Sequence, residues 1–231
     1  MSNHVDKKYY TSRKAEILAL FDDHAQAWKP FLVSTYGDSF AALILGEARE
    51  YHEALIPEIP YIGGDKNPMT RHLVRSTTSL ALYKAMEARG IPAKEPGKII
   101  YDAIIERVRH LPVSPAQPLS QENIQMRRRQ AKKSQERRYS GDWVWEFVEG
   151  DGVQFDYGYD FIECGTQKFY HVKGADEFLP FYCFLDFATN KTSGWGLTRT
   201  MTLGEGYEKC DFRYKRGRKT EQEWPPPFFE E

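Results

Sequence analysis

WVWEFVEGDGVQFDYGY, residues 143–159, alternates aromatic side chains with smaller or polar ones. Trp143, Trp145 and Phe147 fall on one side of an extended chain, and Val144, Glu146 and Val148 on the other. A period of two is the signature of a strand, whose successive side chains point to opposite faces. Glu149 to Gly152 reads as a hairpin turn, after which Val153, Phe155, Tyr157 and Tyr159 alternate again. The stretch predicts an antiparallel strand pair with one aromatic face.

Upstream the period is helical. Ile17, Phe21, Ala25 and Trp28 share a face over residues 14–28, and Lys29-Pro30 is expected to end that helix. Gly37, Asp38 and Ser39 offer an N-cap to a second helix, with Phe40, Ile44, Ala48, Tyr51 and Leu55 on its face. Pro57 to Pro68 is a loop, interrupted by Gly63-Gly64. Asn67-Pro68 starts a third helix with Met69, Leu73, Leu80 and Met86 inward, closed by Gly90. Pro96 starts a fourth, with Ile100, Ile104, Val108 and Leu111 inward. The run MRRRQAKKSQERR, 126–138, predicts a solvated helix or connector rather than a polyanion site, since no aromatic residues interleave it to stack bases.

Downstream, Asp160 to Glu163 has capping-box spacing and predicts a helix closed by Gly174. Asp176 caps the next helix, which takes Pro180 in its first turn. WGLTRTMTL (195–203) and YEKCDFRY (207–214) alternate again around Gly204 to Gly206. A hairpin there pairs Leu203 with Tyr207, and so sets Arg199 opposite Asp211 and Thr200 opposite Cys210. Pro225 to Pro227 keep the tail out of a central strand, while Trp224, Phe228 and Phe229 offer it apolar anchors. The fold class is therefore α+β: a mainly helical part (1–140) packed on a small antiparallel sheet with helices (141–214), then a tail (215–231), in a single domain.

The 231 residues carry 32 basic and 33 acidic side chains, net −1, which argues against a general polyanion binder. No apolar run approaches the ~20 residues of a membrane span, and the opening residues lack a secretory apolar stretch. Three cysteines do not make a disulfide framework. The expected setting is cytoplasmic, and the expected partner a small molecule rather than nucleic acid or membrane. A homo-oligomer stays open.

The reactive residues gather between Asp160 and Arg213. Helical spacing puts Leu179, Cys183, Asp186 and Phe187 on one face, with Asp186 its charged member. A carboxylate among phenylalanines needs a partner or a function; the plain alternative is an exposed helix end. Arg199, on the face of Trp195 and Leu197, wants a carboxylate from Asp211 or from a ligand. Cys164 sits near a helix start, which favours a thiolate, and His171 is the nearby histidine that could activate one. Cys164, Cys183 and Cys210 match no common zinc spacing, yet three elements could bring them together around zinc, the candidate cofactor. Core filling is the plain alternative for each.

The run ECGTQKFYHVKGADEFLPFYCFLDF, the segment LTRTMTLGEGYEKCDFRY and the upstream IPYIGGDKNP resemble the L-2-amino-thiazoline-4-carboxylic acid hydrolase family over roughly residues 40–214. The telling pieces are Glu163-Cys164-Gly165, Cys183-x-x-Asp186, Arg199-Thr200-x-Thr202-Leu203 and Cys210-Asp211-Phe212-Arg213. The resemblance implies hydrolytic opening of a cyclic amidine, with 2-aminothiazoline-4-carboxylate giving N-carbamoyl-cysteine. In that reading Cys183, Asp186, Cys164 and His171 are catalytic candidates. Arg199, Thr200, Asp211 and Glu163 are candidates for binding a carboxylate-bearing heterocycle. Two other classes fit the same residues: an isomerase, cyclase or lyase of specialised metabolism working by acid-base catalysis on a bulkier ring, and a non-catalytic small-molecule binding module.

Overall fold

The computed structural model describes residues 8–229. Helices α1 (Lys14–Tyr36), α2 (Asp38–Leu55), α3 (Thr70–Glu87) and α4 (Lys94–Arg109) form the helical part, and α5 (Gln121–Ser134) follows a long proline-bearing connection. Strands β1 (Val144–Glu149) and β2 (Tyr157–Glu163), helices α6 (Gly165–Val172) and α7 (Leu179–Asn190), and strands β3 (Trp195–Thr198) and β4 (Cys210–Arg216) complete the chain. The sheet is antiparallel throughout, in the order β1-β2-β4-β3. The α+β expectation holds. Among the described residues, no helix is long and apolar enough to cross a membrane.

α3 is the axis of the helical part. From Ser76 to Tyr83 every side chain is buried, Ser76, Thr77, Thr78 and Ser79 included. Three of these hydroxyls are satisfied inside the helix: Ser76, Thr77 and Thr78 donate to the carbonyls of Leu73, Val74 and Arg75 at 2.7, 2.7 and 2.8 Å. α1, α2 and α4 pack around this helix, α6 lies on it, and α7 packs on α4.

Pro30 does not end α1, which runs on to Tyr36. The proline forfeits one backbone bond, but Trp28 and Leu32 on either side are buried and hold the helix together. In α4, Ile100 is buried while Leu111 lies beyond the helix and is exposed. The turn after β1 is longer than the expected hairpin. Asp151 accepts from the N–H groups of Val153, Gln154 and Phe155, which curls 151–155 into a loop and leaves Val153 exposed. The basic run is not free either: Arg127 stacks over Tyr157 at 4.7 Å, Arg128 pairs with Glu149 and Arg137 with Glu163, so α5 and the turn after it are tied to the sheet.

The aromatic face is real and larger than the first strand pair. Register sets Trp145 opposite Phe161, Phe147 opposite Tyr159, Tyr159 opposite Phe212 and Tyr157 opposite Tyr214. The other face is polar, with Asp160 paired to Lys209 and Arg213. Such two-sidedness is the mark of an antiparallel sheet covered on one side. The tail returns as an arm: Trp224 packs near Tyr101, Phe181 and Phe184, and Phe228 and Phe229 meet Phe181.

Candidate active site

Three local structures differ from the sequence expectation, and each changes the site. Strand β2 runs through Glu163, because Asp160 has ladder partners in both Glu146 and Asp211. The capping-box helix therefore starts later, with Cys164 as its N-cap, whose Sγ accepts from the N–H of Gln167 at 3.5 Å. Asp176 is not a side-chain cap for α7; its carboxylate accepts from His171 instead. The third difference is the C-terminal hairpin. The register pairs Thr198 with Arg213 and Leu197 with Tyr214, one residue away from expectation, and the β3 ladder stops at Thr198. Asp211 replaces the missing ladder bonds by accepting from Thr200 N–H, Thr200 Oγ1 and Met201 N–H at 2.9, 2.7 and 2.6 Å. A one-residue slip exchanges faces, so Arg199 meets Asp186 rather than Asp211.

These elements enclose a cavity of about 330 Å³ between the aromatic sheet face, α7, the start of α3 and the edge of α5. Asp186, Arg199, Cys164, Cys183 and Cys210 all line it. Its walls are Trp143, Trp145, Phe161, Tyr182, Phe212 and Tyr214. Two larger clefts, about 720 and 660 Å³, lie around Tyr9, Asp65 and Asn67. Size favours them, but neither gathers the reactive residues, and a few convergent polar groups in an apolar hollow are the better mark of a site. The second of these clefts adjoins the cavity at Pro68, Gln130 and Trp145.

Arg199 is the buried anchor. Its side chain is 3% exposed, while that of Asp186 is 48% exposed, and the space Asp186 faces is the cavity. Nη1 of Arg199 donates to Asp186 Oδ2 at 2.8 Å and Nη2 to the main-chain carbonyl of Cys183 at 3.0 Å. The guanidinium lies 4.9 Å from the rings of both Phe187 and Phe212. Enclosure pushes the Asp186 carboxyl above the usual carboxylate range, against the pull of Arg199 and of His72. Arg199 stays charged, held up by Asp186 despite its own loss of hydration.

Burial pushes all three thiols up: Cys164 above its ordinary value, Cys210 to about 12, and Cys183 further still. The helix start at Cys164 pulls the other way and is outweighed, so the thiolate expected there is not favoured. Gly165 lets this turn close: a Cβ on it would stand 2.5 Å from the Gly141 carbonyl and 2.6 Å from the Trp143 ring.

His171 stands apart from the cavity, with its side chain 75% exposed and paired to Asp176. Glu163 is engaged with Lys168 and Arg137, and Thr200 and Asp211 with each other. None of these four lines the cavity. Among the described residues, no group of three or more His, Cys, Asp or Glu side chains is placed to hold a metal ion. Cys164, Cys183 and Cys210 thus share a hollow without forming a ligand set, and the residues do not fit the zinc reading. His72, Tyr182 and Tyr214 also line the cavity; the sequence does not single out the two tyrosines, and His72 reads there as a surface or packing residue. His72 is reachable by solvent yet hemmed in, and loss of hydration lowers its pKa while Asp186 draws it back up. Tyr214 was within reach of the sequence, since Cys210, Phe212 and Tyr214 alternate on one face.

A family model described as L-2-amino-thiazoline-4-carboxylic acid hydrolase matches residues 71–214. The chain belongs to that family. The hydrolase-family match begins one residue before His72 and ends at Tyr214, so it takes in nearly every wall of the cavity. Neither the curated proteins nor the solved structures include a match to the chain.

Proposed function

We propose that the protein hydrolyses a cyclic amidine, adding water across its C=N bond and opening the ring. The single observation that carries this reading is Asp186: one carboxylate oxygen is held by Arg199, and the half-exposed side chain faces an aromatic hollow. Water is the nucleophile. Asp186 takes one proton from the water as its oxygen bonds to the amidine carbon, and passes that proton to the ring nitrogen, which receives the C=N electron pair. As the tetrahedral adduct collapses, Asp186 takes the remaining hydroxyl proton, the carbonyl forms, the bond from that carbon to the other ring heteroatom breaks, and Asp186 hands the proton to the departing heteroatom. A carboxyl whose pKa is raised toward the working pH suits both halves of this exchange. The thiols, held protonated by burial, serve as walls rather than as nucleophiles.

Arg199 is a positioning residue in this scheme, because two of its N–H groups are engaged by Asp186 and Cys183 and its side chain is closed off. In this scheme it holds Asp186 in place of the substrate carboxylate expected from the sequence. The presence of His72 beside Asp186 also supports a second reading, ring isomerisation by an acid-base pair.

Mass balance tests the two. Wild-type protein incubated with 2-aminothiazoline-4-carboxylate and with larger cyclic amidines should give products heavier by one water. Products of unchanged mass would replace hydrolysis with isomerisation, and recovery of every amidine unchanged would remove the hydrolytic reading.

A further inference from the structure

We propose that the substrate of this chain is a bulky, ring-fused amidine that binds as a cation and carries no acidic group beside the amidine. The proposal rests on the assignment of the cavity as the amidine site and deepens it.

The charges that line the cavity are few. Asp186 is its anion, Arg199 its permanent cation, and His72, whose pKa is lowered below 6.5 by loss of hydration, is uncharged at neutral pH. The guanidinium is committed to Asp186 and to the Cys183 carbonyl and is sandwiched between Phe187 and Phe212. It neutralises part of Asp186 and, with its side chain 3% exposed, presents little of itself to a ligand. A ligand carboxylate placed here would face the free oxygen of Asp186 with no cation to meet it, and a desolvated unpaired charge is costly. Lys66, Lys133 and Arg138 line the outer cleft, on the far side of Pro68, Gln130 and Trp145, and not the cavity.

The walls argue in the same direction. Aromatic faces carry the negative part of the ring quadrupole, so they attract cations and repel anions. Trp143, Trp145, Phe161, Tyr182, Phe212 and Tyr214 surround the space that Asp186 enters. An amidinium lying in its own ring plane can hydrogen-bond to Asp186 while its faces stack on these residues. Volume completes the case. About 330 Å³ falls at the low end of the ~300–1,000 Å³ that drug-sized ligands occupy, and a five-membered ring with two small substituents leaves much of it unfilled. Gln130 and Thr166 can then hydrogen-bond the edge of a larger ring system.

The test uses wild-type protein and matched probes, so it does not depend on a variant folding. Binding is read by calorimetry at neutral pH and from the change in tryptophan fluorescence, to which Trp143 and Trp145 in the cavity wall contribute. The first pair is 2-aminothiazoline and its 4-carboxylate; the second is 2-aminobenzimidazole, protonated, and 2-aminobenzothiazole, a neutral near-isostere. Removing the carboxylate should leave affinity unchanged or improve it, and the charged fused ring should bind about tenfold or more tightly than the neutral one. The proposal is overturned if the carboxylate binds about tenfold tighter than the bare ring, or if the charged and neutral fused rings bind alike. Turnover separates the two readings. Tight binding of the fused cation with no water added to any amidine keeps this inference and ends hydrolysis, while tight binding and hydrolysis of the carboxylate does the reverse.

Discussion

Arg199 and Asp186 meet at 2.8 Å across the gap between the end of β3 and helix α7, with the cation buried and the carboxylate open to the cavity. That asymmetry sets their parts in the proposed mechanism. A general base must reach the reacting molecule, and of the pair it is Asp186 that opens to the cavity. Asp186→Asn keeps the shape and removes the base, so kcat should fall about 10²- to 10⁴-fold with the thermal transition still cooperative. Burial raises the carboxyl pKa, and the proposed mechanism uses the ionised form. Activity should therefore rise with pH through a midpoint above the usual carboxylate range. A variant with wild-type kcat would remove Asp186 from the chemistry.

In the proposed mechanism Arg199 acts through Asp186, and its replacement should show that in the pH profile. Arg199→Met removes the charge that pulls the Asp186 pKa down. The acid limb of activity should then move to higher pH, a shift that a merely structural role would not produce. Stability should fall by roughly 2–4 kcal/mol, because removing one partner strands the other, moderated here by the opening of Asp186 to the cavity. An unmoved acid limb alongside a lowered melting temperature would reduce Arg199 to packing.

The cysteines should be inert in the folded protein. With all three thiols held protonated by burial, titration with a thiol reagent at neutral pH should show no fast phase until denaturant is added. Cys183→Ala should keep activity within about tenfold, the range left to a wall residue. A single rapidly labelled thiol whose loss abolishes turnover would restore a cysteine nucleophile.

The sequence revealed the aromatic sheet face, most of the helices and the Cys183-Asp186 spacing, because periodicity is local. It misplaced Arg199 because the hairpin register depends on Asp211 clamping Thr200 and Met201, and a turn motif does not encode that competition. It set Leu111 inward because a helical repeat does not announce where the helix stops. It gave Cys164 a thiolate because the helix start is visible in the sequence and the enclosing Trp143 is not. His72, in a helix beside the Gly63-Gly64 loop, reads in the sequence as a surface or packing residue, because its place beside Asp186 in the cavity is tertiary.

Gly97 supplies a test of the packing that supports α7. It lies inside α4, where alanine is the better helix former by about 1 kcal/mol. Yet a Cβ there would stand 2.8 Å from Cβ of Phe181, an atom fixed to the α7 backbone and flanked by Trp224. Overpacking costs about 1–3 kcal/mol and should win. Gly97→Ala should therefore lower stability to denaturant rather than raise it, and any gain would show that α7 can retreat freely.

His52 makes the helical part acid-sensitive. It is fully buried and stacks on Phe21. Its Nε2 lies 2.8 Å from Thr77 Oγ1, and that hydroxyl already donates to the Val74 carbonyl. Thr77 must then accept, so Nε2 carries the proton and Nδ1 is left bare, with no hydrogen-bond partner. Protonation would place an N–H and a charge at that bare atom. Burial accordingly lowers the pKa from 6.5 to about 4, with His24 and Arg49 adding to the drop and Asp22 opposing it. The unfolded chain binds the proton more readily, so stability is full above pH 6.5 and declines as pH falls toward 4, where the loss levels off. At about 1.4 kcal/mol per unit, the loss is on the order of 3 kcal/mol. His52→Gln keeps an N–H for Thr77 and cannot titrate. Denaturation measured across this window should show the wild type losing more stability than the variant by about that amount, and parallel curves would mean that His52 does not sense acid.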